Sequence, residues 1–282
     1  MTLLGYEWRK LARMSALWVF VALCLLFNIF YVSSAGYNRR FVNEVSQTAA
    51  RLGNRVDAAF LEGLSAMDRT KNQDLLLTGC RELTDVFAFY DTAGLTEAYR
   101  HWLGDSLAGR WIGWKYERLS PRAAHLSQSG ASMDLYAGPA TADAHRFLFG
   151  DLMRFILGEA AVLGMLSTLA LLGHEEIHRT TQTVCASRTG RRLFRWKLGA
   201  GVAAAMALYL AVAAVTLGTY FALFDYSGIW GSSISSGFNQ LTDMLIPRPV
   251  LTWSDFTVGG YLAAVLALGV VLTAVLALLA GF

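Results

Sequence analysis

The sequence predicts an all-α membrane protein with four transmembrane helices and a mainly helical extracytoplasmic domain between the first and second. Three observations carry that prediction. The 282 residues are 55% hydrophobic and 16% charged, with a mean hydropathy of +0.40, too apolar for an ordinary soluble domain. Charged residues are missing altogether from 14–38, 198–224 and 256–282. At about 1.5 Å per helical residue, each gap is longer than the ~30 Å hydrocarbon core of a bilayer. The basic residues that remain are shared unevenly among the connecting segments, which sets a topology.

Residues 1–15 hold Arg9, Lys10 and Arg13 against Glu7 alone. Leu3, Leu4, Trp8, Leu11 and Ala12 alternate with these charges, the pattern of a short helix lying in the membrane interface. Residues 16–36 form the first span. A secretory leader also runs from basic to apolar, but this run is too long and too rich in Trp18, Phe20, Phe27, Phe30 and Tyr31, so the helix is expected to be retained.

Residues 37–150 read as the extracytoplasmic domain. Phe41, Val45, Leu52, Val56, Phe60 and Leu64 recur mostly four apart, which predicts one amphipathic helix from Arg39 to Leu64. A second helix is expected over about 74–90, with Gly94 as the interruption before a third over 97–107. Trp111, Trp114 and Tyr116 then precede Ser120-Pro121, a turn signal that can also start a helix. These aromatics fit either a core or interfacial belt, or a ligand-contacting surface. Residues 127–143, with Gly130, Gly138 and Pro139, read as a returning loop.

The second span, 151–173, carries Arg154 and Glu159 near its start. An ionisable residue inside a membrane is a pathway candidate, so Glu159 is singled out, with water or Arg154 as its expected partner. The segment 174–197 has six basic residues against Glu175 and Glu176, which groups it with the N-terminus on the cytoplasmic side. The third span, 198–224, offers Gly199, Ala203, Ala207 and Ala211 at four-residue spacing, a stripe of small residues for helix packing. The loop 225–256 has Asp225, Asp243 and Asp255 against Arg248 and belongs outside, and the fourth span takes 257–282. The expected product is a multi-pass protein of the cell membrane with a cytoplasmic N-terminus. Cys24, Cys80 and Cys185 fall in a span, the outer domain and the cytoplasmic segment, so no disulfide is expected among them.

These features also exclude function classes. No basic stripe interleaved with stacking aromatics occurs, so nucleic acid is not an expected partner. His174-Glu175-Glu176-Ile177-His178 satisfies H-E-x-x-H, in which two histidines hold zinc and the glutamate activates water. The other histidines, His101, His125 and His145, map to the opposite side of the membrane. No third ligand is therefore evident, no metal is expected, and a membrane zinc metalloprotease using His174 and His178 stays an alternative, as does a non-enzymatic membrane sensor.

The stretch from Glu175 and Glu176 through Arg179, Thr180 and Arg188 to Gly190, Arg191 and Lys197 resembles the first cytoplasmic loop of ABC type-2 permeases. In that family an acidic residue ends the second helix, a Thr-containing amphipathic segment leads to a basic Gly-Arg turn, and a Lys opens the third helix. The resemblance implies the permease subunit of an ATP-binding cassette transporter, an exporter, forming a homodimer or a heterodimer with a similar permease. It further implies that Glu175, Glu176, Arg179, Thr180, Arg188, Gly190 and Arg191 couple it to an ABC ATPase subunit, and that residues 1–15 are the family's elbow helix. The chain has no G-x-x-x-x-G-K-[ST] phosphate loop. ATP and Mg are therefore expected on the partner ATPase, with no cofactor bound here and no enzyme activity in this chain. The family has six spans, so four mark a fragment or a shortened member. The four-helix ABC permeases of the lipoprotein-release and cell-division class fit the topology better and the loop worse.

Overall fold

The computed structural model describes residues 3–35, 38–180, 182, 186, 190–243 and 246–281. The chain is an all-α membrane protein, 76% helical with almost no sheet. Its helices are α1 (Leu3–Ala12), α2 (Ser15–Ser34), α3 (Arg39–Leu52), α4 (Ala58–Ala66), α5 (Lys71–Glu82), α6 (Thr92–Leu103), α7 (Leu107–Ser129), α8 (Thr141–His145), α9 (Met153–Ile177), α10 (Gly190–Leu223) and α11 (Val258–Ala280). The chain divides into two compact units. A spanning unit comprises Met1–Gly36, Phe147–Leu223 and Ala263–Phe282, and an intervening unit comprises Tyr37–Arg146 and Phe224–Leu262.

Among the described residues, four helical runs are long and apolar enough to cross a membrane: Ser15–Ser34, Gly138–Ile177, Leu193–Leu223 and Val258–Ala280. In the spanning unit, α9 and α10 approach closely because small residues meet. A Cβ on Gly164 would lie 2.8 Å from that of Ala205, and one on Gly201 would lie 2.7 Å from Thr168 Oγ1. Hydroxyls buried among these helices are satisfied by their own backbones: Ser167 and Thr168 each donate to the Gly164 carbonyl at 2.9 Å, and Thr273 donates to that of Gly269 at 2.6 Å. The stripe read from the sequence is not the one used within the chain. Gly199, Ala207 and Ala211 are exposed and Ala203 is half-buried, whereas Ala200, Ala204 and Ala205 are buried. Residues 199–207 are nearly all alanine or glycine, so small-residue spacing there matches several registers at once.

The intervening unit departs from expectation at its helix ends. The single helix expected over 39–64 is two, broken where Gly53 takes a φ of 96°, a conformation that favours glycine. After Gly53 the backbone pairs with a distant segment: the Leu135 N–H donates to the Asn54 carbonyl at 2.7 Å, and the Val56 N–H donates to that of Met133 at 2.8 Å. Asp57 then caps α4 by accepting from the Phe60 N–H at 2.8 Å. Helix α5 opens on a capping box of Thr70 and Gln73 and stops at Glu82, short of the expected Tyr90. The stretch beyond it is held by Asp85, which accepts from Ser127 Oγ at 2.5 Å, Ser132 Oγ at 2.8 Å and the Phe87 N–H at 3.1 Å.

Gly94 does not interrupt a helix. It lies in the first turn of α6, where its N–H donates to the Asp91 cap at 2.8 Å. Pro121 lies inside α7 rather than at a boundary. Tyr116, Leu119, Ala123 and Leu126 form the buried face of that helix, and Pro121 is exposed, so the carbonyl left without a donor faces solvent. Residues 127–143, expected as loop, complete α7 and then make the short turns Ala131–Met133 and Gly138–Ala140.

Residues 225–256 are not a separate loop. They carry an antiparallel hairpin, β1 (Gln240–Asp243) and β2 (Ile246–Pro249), with Gln240 opposite Pro249. They also join the first segment of the unit. Arg122 donates to the Thr252 carbonyl at 2.7 Å and pairs with Asp255, Arg248 donates to the Tyr116 hydroxyl at 2.7 Å, and the Gly237 N–H donates to the Ser132 carbonyl at 2.9 Å. Cys80 lies buried in this unit, and burial pushes its thiol up to about 12. Cys24 is buried in the spanning unit, both are free thiols, and Cys185 lies outside the described residues.

Two predictions follow from packing and charge. Gly164→Val should force α9 and α10 apart and destabilise the chain by about 1–3 kcal/mol, read as a lower melting temperature in detergent; an unchanged melt would show that this contact is not tight. At Asp85, burial pushes the carboxyl up, but the hydroxyls of Ser127 and Ser132 and the N–H groups of Phe87 and Ala88 outweigh it and hold the group below its ordinary value. A folded value below the unfolded one gives stability that is present above about pH 4 and is lost as pH falls through the folded value. Asp85→Asn should remove that acid sensitivity and cost about 1–3 kcal/mol at neutral pH, measured by melting across pH 3–7.

Candidate functional site

Two residues of the stretch that resembles a coupling loop, Glu175 and Lys197, meet Glu7 and Lys10 of α1 in the spanning unit. Glu175 lies in the last turn of α9, Lys197 in the first turns of α10, and Glu7 and Lys10 one turn apart on α1. Lys10 Nζ contacts Glu7 at 2.8 Å and Glu175 at 2.9 Å. Lys197 Nζ pairs with the other Glu175 oxygen and donates to the Leu171 carbonyl at 2.7 Å. All of this is screened from solvent: Glu7 is 1% exposed, Lys197 4% and Glu175 9%.

Two lysines thus answer two carboxylates, and each buried charge has a partner, without which its desolvation would be unfavourable by several kcal/mol. The lysines also offset the negative end of the α9 dipole, where Glu175 alone would be repelled. The cluster corrects the reading of α1. Its buried residues are Glu7 and Leu11, with Lys10 beside them, while Trp8 is 39% exposed. Helical spacing had grouped Trp8 with the leucines, but the ion pairs turn the charged edge of α1 inward. The side chains of Leu3 and Leu4 lie outside the description.

Past Glu175 the helix closes with two hydrogen bonds. The Arg179 N–H donates to the Glu176 carbonyl at 3.0 Å and the Thr180 N–H donates to that of Glu175 at 2.8 Å, an arrangement that puts Arg179 at a φ of 55° where glycine is usual. An arginine there costs about 1–2 kcal/mol. Of the sequence-predicted coupling residues, Glu175 is therefore interior, while Glu176, Arg179 and Thr180 are exposed just beyond it. Gly190 and Arg191 open α10, and Arg188 lies outside the described residues. Comparison with protein-family models, curated proteins and solved structures gives no match.

His174, in the last turn of α9, and His178, the residue just past its end, have ring centroids 4.4 Å apart. The motif's Glu175 is engaged by Lys10 and Lys197, and among the described residues no group of three or more His, Cys, Asp or Glu is placed to hold a metal ion. Glu159 takes a partner other than Arg154, which is exposed. Asn28 of α2 donates to Glu159 Oε2 at 2.7 Å and to Thr216 Oγ1 of α10 at 3.0 Å, joining three spanning helices through a fully buried amide. A count of charges passes over Asn28 because it has none; a lone asparagine in an apolar run was the available signal.

In the intervening unit, a cavity of about 1040 Å3 lies between α6 and α7, with Glu97, Arg100, Trp114 and Glu117 in its wall. Tyr116 is core, its hydroxyl pushed up to about 12 by burial against the opposing effect of Arg248, whereas Trp111 and Trp114 are surface residues.

What the Glu175 cluster does chemically is mechanical: it fastens α1 to the ends of α9 and α10. Glu175→Gln should leave buried Lys197 without a carboxylate, since Lys10 keeps Glu7, and destabilise the chain by about 3–5 kcal/mol. Combining Glu175→Leu with Lys197→Met, which leaves the Lys10–Glu7 pair intact, should recover most of that loss in a detergent melt. A silent Glu175→Gln variant would show that the pairing does not hold these helix ends.

Proposed function

We propose that the chain is the permease subunit of an ATP-binding cassette transporter of the type-2 kind, an exporter of the cell membrane, with its N-terminus and the 174–197 segment in the cytoplasm. The observation that supports this best is the buried Lys10–Glu175–Lys197 connection, in which Glu175 and Lys197 belong to the stretch that resembles the coupling loop and Lys10 to α1. A separate ATPase, carrying ATP and Mg, would press on the exposed Glu176, Arg179 and Thr180. Because Glu175 fastens α9 to α1 and α10, that push would move three helix ends together rather than bend one loop. Asn28, Glu159 and Thr216 sit where α2, α9 and α10 meet, so a shift among these helices would be felt at the polar group inside the membrane. The exposed Gly199, Ala207 and Ala211 would serve a second permease copy, since α10 packs in its own chain through the adjacent stripe. The excess of basic residues in 1–15 and 174–197 supports the orientation.

The division of labour between buried and exposed charges makes the proposal testable. A Glu176→Lys, Arg179→Glu variant should insert and melt like the wild type yet lose at least about tenfold in co-purification with an ABC ATPase that the wild type retains, on the scale of an interfacial charge reversal. Undiminished binding together with undiminished ATPase stimulation would remove the coupling assignment.

A further inference from the structure

A cavity of about 450 Å3 opens in the spanning unit between α1 and the last turns of α9. Arg9, Lys10 and Arg13 line it from one side, and His174 and His178 from the other. Their charges are not equivalent. Lys10 is matched by Glu7 and Glu175, but Arg9 and Arg13 are exposed and have no acidic partner among the described residues. Two guanidinium groups and two imidazoles therefore bring N–H donors to one concavity whose positive charge is uncompensated.

That donor set selects the occupant. Guanidinium forks match tetrahedral oxyanions, on which several oxygens accept hydrogen bonds at once. The remaining wall is Tyr6, Met14, Ala170 and Ile177, apolar apart from the Tyr6 hydroxyl, and Ile177, the last residue of a spanning helix, is 75% exposed. A cationic end beside an apolar flank, at the end of a membrane helix, is suited to an amphiphile whose phosphate lies at the level of the headgroups. A zwitterionic lipid would bring its own ammonium against Arg9 and Arg13, whereas an anionic one would not.

We infer that this cavity binds the phosphate of an anionic membrane phospholipid, with Arg9 and Arg13 supplying the charge and His174 and His178 further N–H donors. The site does not depend on the transport reading. The same H-E-x-x-H histidines that invite a zinc assignment thereby acquire a different ligand, one that needs no third metal-binding side chain.

Native mass spectrometry on the full chain in detergent tests this, titrating phosphatidylglycerol, phosphatidylcholine and inorganic phosphate separately. The wild type should retain one phosphatidylglycerol per chain about tenfold more tightly than phosphatidylcholine, and Arg9→Gln, Arg13→Gln should abolish that preference. His174→Leu, His178→Leu should weaken it as well, which keeps the test open if the arginine variant folds poorly. Arg195→Gln, an exposed basic residue of α10 outside the cavity wall, should leave the preference intact. Equal retention of both lipids by the wild type, or an equal loss in the Arg195 variant, would overturn the site. Displacement of phosphatidylglycerol by millimolar inorganic phosphate would overturn the lipid assignment and point to a free anion.

Discussion

One exchange of charge governs the spanning unit: the carboxylate of Glu175 against Lys10 and Lys197. In a poorly solvated position neither sign is tolerable alone, so the three helix ends that supply these groups must stay together or expose them. Much else follows from that constraint. It turns the Glu7 edge of α1 inward and leaves Trp8 and Arg9 outward, and it holds the Lys197 turn of α10 against the end of α9. It also divides two adjacent glutamates, identical in sequence terms, into an interior fastener and a surface group.

The spans were legible because a bilayer imposes a demand that composition can meet in only one way. Every backbone group must be satisfied within the segment, and every side chain must tolerate hydrocarbon, so a long charge-free run reads as a helix whatever its neighbours do. The helix ends were less legible. Helices α9 and α10 continue as far as Ile177 and from Gly190, past the expected limits of 173 and 198, because polar residues can prolong a helix once it has left the apolar layer. The role of Glu175 was hidden for a related reason. Counting charges by segment assigns a side of the membrane, but it does not show that Lys10 and Lys197, remote in sequence, converge on the same carboxylate.

Gly53 and Pro121 make the same point in the intervening unit. From local rules, proline is the stronger breaker and glycine the tolerable one. Tertiary context reverses them: residues after Gly53 gain backbone hydrogen bonds to Met133 and Leu135, whereas Pro121 occupies the wet side of α7, where a freed carbonyl costs little. Amphipathic spacing located most of the buried face of the 39–64 segment, with Val45, Val56, Phe60 and Leu64 buried. It did not locate the break, because a helix of either length shows the same period.

The intervening unit is assembled from two stretches of chain, Tyr37–Arg146 and Phe224–Leu262, with α9 and α10 encoded between them. Synthesis is vectorial, so the first stretch emerges without the hairpin, Arg248 or Asp255 that complete it. At about 5–20 residues per second, the roughly 80 intervening residues impose a wait on the order of 4–16 s. During that interval Arg122 has no Asp255 and the Tyr116 hydroxyl has no Arg248. The nascent protein must therefore pass through a stage in which two apolar helices have been made before a unit begun earlier can close.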